Sequence, residues 1–335
     1  MERKKLLIAD DSEMNRAILA NMLEQDFEIM EVSDGKEALA ALQIYRKDLS
    51  ALLLDIVMPE MDGFQVLEEM KQRQWLEDVP TVMISAETGR CAVITVLSAV
   101  GIWIGARIFL KDRHMVGAFV QAGYRSSVAV LGMALVTNIY GSGAVVPMMM
   151  VGSVPLFNVF AVLILTLEGP THEESSLKEN LLKAGKDIVT NPILLAILLG
   201  MAASWFEIRF PLMLERGMGY VADMAMPQAL VCIGASFQGT EALKKIKPTL
   251  AVTFIKLMVL PGVFLPICVA LGLRGEYLAA VLVMQGSPTT STGYVMAENM
   301  GGDGVLASSA VVSTTVLSAF SLTFWVFLSR SFGLI

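Results

Sequence analysis

Histidine is nearly absent from this chain of 335 residues: His114 and His172 are the only two. A histidine-rich metal site or a nucleophile–base triad therefore has almost nothing to be built from, and a soluble enzyme is not expected. Cysteine is equally scarce. Cys91, Cys232 and Cys268 are odd in number and all fall in apolar stretches, which argues against a disulfide framework or zinc centre and for inert buried thiols. Charge is thin as well, at 17% of residues against 55% hydrophobic, with a mean hydropathy of +0.62. That is too apolar for an ordinary soluble protein of this length. The opening Met1-Glu2-Arg3-Lys4-Lys5 runs into an apolar stretch of only four residues, without the h-region of a secretory signal.

The charge that is present is unevenly placed. Residues 1–90 hold 19 of the 32 acidic and 10 of the 25 basic side chains, leaving 13 acidic and 15 basic beyond, so an acidic first part precedes a near-neutral remainder. The change falls in residues 85–110. Ile84-Ser85-Ala86-Glu87-Thr88-Gly89 closes a soluble α/β pattern, and Cys91 to Leu110 is apolar except for Arg107, long enough to cross a bilayer. Two domains are expected, over 1–88 and 89–335, with a lipid bilayer as one partner and no nucleic acid.

In the first part, Lys5-Leu6-Leu7-Ile8-Ala9 ends at Asp10-Asp11, and Ala51-Leu52-Leu53-Leu54 ends at Asp55. Continuous apolar runs of this kind are strands of a parallel sheet covered on both faces. Ser12 can cap a helix carrying Ile18, Leu19, Met22 and Leu23, and Phe27 to Val32 alternates like a strand. A second helix begins near Gly35, a third covers about Gly63 to Arg73, and Pro80 to Ser85 reads as a fourth strand. Ligands of such a sheet bind beyond the carboxyl ends of its strands, where Asp10, Asp11, Asp55 and Ser85 would meet. Clustered carboxylates repel unless a hard divalent cation such as Mg²⁺ neutralises them, and a carboxylate on such a metal can attack phosphorus. Taken singly, each Asp also fits as a turn former.

These residues, with Met58-Pro59-Glu60-Met61-Asp62-Gly63 after the third strand, resemble the receiver domain of two-component response regulators over residues 4–88, a flavodoxin-like α/β fold. The resemblance implies that Asp55 accepts phosphate from a histidine kinase. It also implies that Asp10, Asp11, Asp55 and the carbonyl of Val57 hold Mg²⁺, and that Ser85 senses the phosphoryl group. A complete receiver continues to a fifth strand ending in a lysine. Here the chain turns apolar after Thr88, and Arg107 or Lys111 falls near that distance with no polar helix before it. A truncated receiver, with the flank of its first helix uncovered around Leu19 and Met22, is the expectation.

Eight apolar stretches follow, at roughly 91–110, 116–139, 144–167, 188–206, 219–237, 249–272, 277–297 and 304–328, predicting an all-α polytopic membrane domain. The second is broken at Gln121-Ala-Gly-Tyr-Arg-Ser-Ser-Val-Ala-Val-Leu-Gly132 and the seventh at Gln285-Gly-Ser-Pro-Thr-Thr-Ser-Thr-Gly293. Each break leads through a Gly-containing turn to another long helix, as in an internal repeat. Paired breaks point to a midplane substrate site, where helix N-termini attract anions; equally, Gly and Ser permit close helix packing. Lys256, seven residues into its stretch, is either a functional cation or half of a structural ion pair.

Asn191 to Gly200, Met226 to Ser236 and Gly286 to Asp303 resemble the auxin efflux carrier family, which includes bacterial malate and malonate permeases, over about 91–335. The resemblance implies inverted repeats, crossed broken helices and transport of a small organic anion. By it, Ser287, Pro288 and Thr289 form one crossing and Ser126 and Ser127 the other, with Lys256 a further substrate-binding candidate. The family has ten helices and usually Asn where Ser127 stands, so two helices of the first repeat are expected to be missing. Lys111, Arg113, Lys178, Lys183, Lys186, Lys244, Lys245 and Lys247 follow odd-numbered stretches, against Arg209, Arg216, Arg274 and Arg330 opposite. This places the first set in the cytoplasm and, with eight spans, both chain ends outside, where a receiver could not meet its kinase. Three resolutions stand: the first stretch does not cross, insertion opposes the charge bias, or two incomplete genes have been joined.

Overall fold

The computed structural model describes residues 4–56, 58–84, 86–140, 145–169, 190, 192–206, 208, 210–236 and 239–335. It separates into two compact units, Met1–Glu87 and Thr88–Ile335.

The first unit is an open parallel sheet. Strands β1 (Lys4–Ala9), β2 (Phe27–Val32), β3 (Leu49–Asp55) and β4 (Thr81–Ile84) lie in the order β2-β1-β3-β4, all parallel. Helices α1 (Glu13–Leu23), α2 (Gly35–Tyr45) and α3 (Gly63–Gln72) supply the crossovers. Each begins where a side chain satisfies the unpaired N–H groups of the first turn: Ser12 accepts from Asn15, Asp34 from Glu37, and Asp62 from Gln65 in a reciprocal capping box. The core joins Leu7, Leu52 and Leu54 of the sheet to Leu42 and Val66 of the helices. No residue of α1 is fully buried. Met14, Ile18 and Met22, spaced one turn apart, are exposed, as is Val82 on the edge strand β4. The uncovered flank of α1 thus falls on Met14, Ile18 and Met22, while Leu19 is half-buried.

The second unit is helical, and its core gathers residues from Cys91 to Leu322. Four helices are long and apolar enough to cross a membrane: Gly89–Phe109, Val145–Leu167, Ile246–Ala270 and Gly304–Ser331. They correspond to α4 (Ala86–Phe109), α7 (Val145–Leu167), the pair α11 (Ile246–Phe254) and α12 (Leu260–Ala270), and α15 (Gly304–Ser331). Of the eight expected stretches, two of them expected to be broken, four form such helices among the described residues. The second stretch is split into α5 (Arg113–Tyr124) and α6 (Met133–Tyr140). The seventh is split into α13 (Gly275–Gly286) and α14 (Ser291–Asn299). Of the remaining two, α8 (Pro192–Trp205) has only 14 residues, and α9 (Leu212–Ser236) carries Glu215, Arg216 and Asp223. A six-residue helix, α10 (Gly239–Lys244), precedes α11.

Apolar side chains face outward along α4 and α9, including Leu97, Ile104, Phe109, Met213 and Val231. An apolar surface of that extent is covered by lipid or protein in a stable molecule. Cys91 and Cys268 are buried but Cys232 is exposed on α9, and none forms a disulfide; the buried-thiol expectation fails for Cys232, which lies on an exposed stretch of α9.

Candidate functional site

In the first unit, the central strands β1 and β3 end side by side and deliver Asp10 and Asp55 to one edge. Carboxylate oxygens of Asp10, Asp11 and Asp55 all lie within 4.8 Å of one another. Asp10 and Asp55 are buried, whereas Asp11 is exposed. Asp10 is held from several directions. Its Oδ1 accepts the Ser12 backbone N–H at 2.8 Å, its Oδ2 accepts Asn15 Nδ2 at 3.2 Å, and its carbonyl accepts Arg16 at 2.7 Å. Arg16 is itself paired with Glu31 at 3.5 Å. The donor set is all oxygen and carries three negative charges, which suits a hard divalent cation of the Mg²⁺ class. Val57 and Ser85 lie outside the described residues.

The loop after β3 is drawn tightly under Asp55. A side chain at Gly63 would run into the Asp55 carbonyl, and one at Gly35 into the Met61 carbonyl, so two glycines admit the close approach of backbones. Gly63 N–H donates to the Ile56 carbonyl at 3.0 Å. Glu60 adopts a left-handed backbone, φ 65°, and its carboxylate accepts Lys36 Nζ at 2.6 Å. That hydrogen bond, followed by the charge of Glu60, raises the Lys36 ammonium above the usual lysine range.

Fold and site together define an open parallel α/β domain with an acidic cluster at the carboxyl ends of its central strands. The sequence pattern of the response regulator receiver domain matches residues 6–103, reaching into α4. A chemotaxis protein CheY homolog of Campylobacter jejuni is 35% identical over 97 residues, 28% of this chain and 74% of that protein. A probable cyclic di-GMP phosphodiesterase of Vibrio cholerae is 39% identical over 83 residues, 25% of this chain and 18% of that protein. The solved N-terminal domain of a response regulator receiver protein from Methanoculleus marisnigri is 34% identical and covers 24% of this chain and 63% of its own, with a TM-score of 0.22. The chain belongs to the response regulator receiver family.

The second unit brings its two broken segments together. Helix α5 stops at Tyr124, and a π-helical turn over Val128–Gly132 precedes α6; α13 stops at Gly286, and Ser287 to Thr290 run extended before α14. The Ser127 N–H donates to the Pro288 carbonyl at 2.9 Å, and Ser126 Oγ donates to the Met284 carbonyl. Lys256 sits on a second π-helical turn, Ile255–Val259, with no solvent exposure. Its Nζ donates to Ser126 Oγ and, at 3.5 Å, to Met284 O. Of the predicted residues, Ser126, Ser127, Pro288 and Lys256 meet directly. Ser287 and Thr289 are buried in the same segment, and neither hydroxyl oxygen has a partner among the described residues.

Two further buried polar residues lie beside the breaks. Arg125 is buried and reaches Asn158 Oδ1 at 3.2 Å and Thr292 Oγ1 at 3.0 Å. Gln121 is buried, and among the described residues neither of its amide atoms has a partner. Among the described residues, neither Arg125 nor Lys256 lies within ion-pair distance of a carboxylate. Gln121 and Arg125 stand inside the broken motif in the sequence, where their polarity in an apolar stretch was the available signal. Arg107, near the distance expected for a receiver's lysine, pairs with Glu168 at 2.5 Å.

Proposed function

We propose that the chain is a membrane-embedded carrier of a small organic anion bearing a phosphoacceptor receiver unit. The observation that carries the transport reading is the meeting of two broken helices around Lys256, a buried cation whose hydrogen-bond partners are a hydroxyl and a carbonyl. Isolated charge at membrane depth is costly and marks ion or substrate pathways. The polar breaks at Arg125–Ser127 and Ser287–Thr290 leave buried groups, Gln121 and Thr289 among them, for which an anion with hydroxyl or carboxylate oxygens supplies complementary partners. Lys256 and the non-helical segments of the breaks then orient the anion, with Ser126, Ser127, Ser287, Pro288 and Thr289 as the contact segment.

In the receiver unit, Asp55 is the phosphoacceptor: its carboxylate oxygen attacks the phosphorus of a histidine kinase's phosphohistidine, an acyl phosphate forms and the P–N bond breaks. Mg²⁺ held by Asp10, Asp11, Asp55 and the Val57 carbonyl would neutralise the charge gathered there. Asn15 and Arg16 fix Asp10, and Ser85 reads the modified state.

Family membership favours a second reading, in which the helical unit only anchors a phosphorelay protein. Uptake of radiolabelled malate and malonate into proteoliposomes holding the full chain separates the two. Flux that falls on Lys256→Met or Pro288→Ala supports the carrier. Absence of flux, together with acetyl-phosphate labelling that Asp55→Asn abolishes, supports the anchor.

A further inference from the structure

The helical unit contains a groove of about 820 Å³ running between α4 and the α11–α12 pair, apolar along its length and basic at one end. Its sides include Leu97, Ile102, Phe109, Val259 and Phe264. On the α4 side, Gly101 and Gly105 lie one turn apart, and a side chain added at either would meet no atom within 4 Å. The groove is thus open along a strip of helix backbone, which sets its depth.

Four lysines, Lys111, Lys244, Lys245 and Lys247, close one end together with Asp112. Three of the acidic and basic groups there are engaged. Asp112 caps α5 through the His114 N–H at 3.0 Å, Lys244 pairs with Glu241 at 2.6 Å, and Lys245 pairs with Asp303 at 2.5 Å. Lys111 and Lys247 are exposed and form no ion pair among the described residues. The lysines come from the segment after α4 and from the junction of α10 and α11, and the groove gathers both segments at the same end.

We propose that this groove is a site for an anionic phospholipid, with an acyl chain along Gly101 and Gly105 and the phosphate at Lys111 and Lys247. The shape and the charge select the same ligand. An apolar slot of this size excludes a free phosphate as the main occupant, and a cationic mouth at the headgroup level discriminates against zwitterionic lipids. The inference rests on the helical unit being membrane-embedded, and it stands apart from the anion crossing at Ser126 and Pro288.

The test uses the full chain, purified in detergent, delipidated and titrated with phosphatidylglycerol, phosphatidylcholine or inorganic phosphate while bound lipid is counted by native mass spectrometry. Phosphatidylglycerol is expected to bind more tightly than phosphatidylcholine, with inorganic phosphate failing to displace it. Lys111→Gln and Lys247→Gln, both surface changes, should each weaken it on the order of five-fold, and Gly101→Leu should fill the slot and remove it. Equal binding of the two lipids, or unchanged binding in the two lysine variants, overturns the proposal. Retention of phosphatidylglycerol by a folded Gly101→Leu protein also overturns it. A chain that stays monodisperse without detergent would instead defeat the membrane reading beneath it.

Discussion

The Ser127 backbone N–H donates to the Pro288 carbonyl at 2.9 Å, across 161 residues of sequence. One hydrogen bond therefore ties the break of α5 to the break of α13. Non-helical backbone at membrane depth needs such partners, because lipid offers none. Pro288 has no N–H to donate to the Met284 carbonyl four residues back, and that carbonyl instead accepts Ser126 Oγ and Lys256 Nζ. Pro288→Ala restores that N–H and lets the helix extend. Anion flux in proteoliposomes should fall by at least about ten-fold, while the detergent-solubilised protein keeps its elution profile.

Lys256 provides a sharper separation of function from stability. A buried ammonium whose partners among the described residues are a hydroxyl and a carbonyl is costly, and replacing such a charge by an apolar side chain of similar volume is often neutral or stabilising. Lys256→Met should therefore leave the melting temperature unchanged or raised and still lower flux by about ten-fold or more. A drop in both would make Lys256 a structural tie between Ser126 and Met284.

Gly63 tests how the acidic edge is built. A methyl group there must displace the Asp55 backbone, at a cost of about 1–3 kcal/mol for overpacking. Gly63→Ala should reduce Mg²⁺-dependent acetyl-phosphate labelling of Asp55 several-fold, whereas Gly89→Ala, where an added side chain meets nothing within 4 Å, should leave it intact.

The Lys36–Glu60 pair sets the loop's behaviour with pH. Its lysine is raised in the folded chain, so the stabilisation is fully present below the unfolded lysine value of about 10.4 and is lost as pH climbs through the higher folded value. No change in labelling from this pair is expected between pH 6 and 9. NMR detection of Lys36 titration below the ordinary lysine range would contradict the contact.

The exposed flank of α1 is a liability rather than part of the core. Ile18→Gln removes exposed apolar surface between Met14 and Met22 and should shift stability by no more than about 0.5 kcal/mol. Aggregation of the full chain in detergent, monitored by light scattering, should decrease.

The receiver fold is legible in the sequence because its evidence is local: apolar runs end at Asp10 and Asp55, Ser12 caps α1, and helices begin near Gly35 and Gly63; the caps Asp34 and Asp62 and the close approach at Gly63 emerge in the structure. The two helix breaks are legible for the same reason, since Arg125-Ser-Ser127 and Ser287-Pro-Thr289 interrupt apolar runs. The π-helical turn under Lys256 has no such mark, because its residues are those of any apolar helix. Nor does the sequence reveal which face of an apolar helix meets protein, so the exposure of Cys232 and the basic-mouthed groove beside α4 emerge only in three dimensions. The engagement of Arg125 by Asn158 and Thr292 joins residues 33 and 167 positions apart, beyond the reach of periodicity.

Everything proposed for the helical unit requires that the chain pass from water into lipid near Gly89. Alkaline carbonate extraction of membranes from cells expressing the full chain tests this most directly. The intact polypeptide is expected to stay in the membrane pellet and to be released only by detergent. Recovery of folded, monodisperse protein in the carbonate supernatant would contradict it.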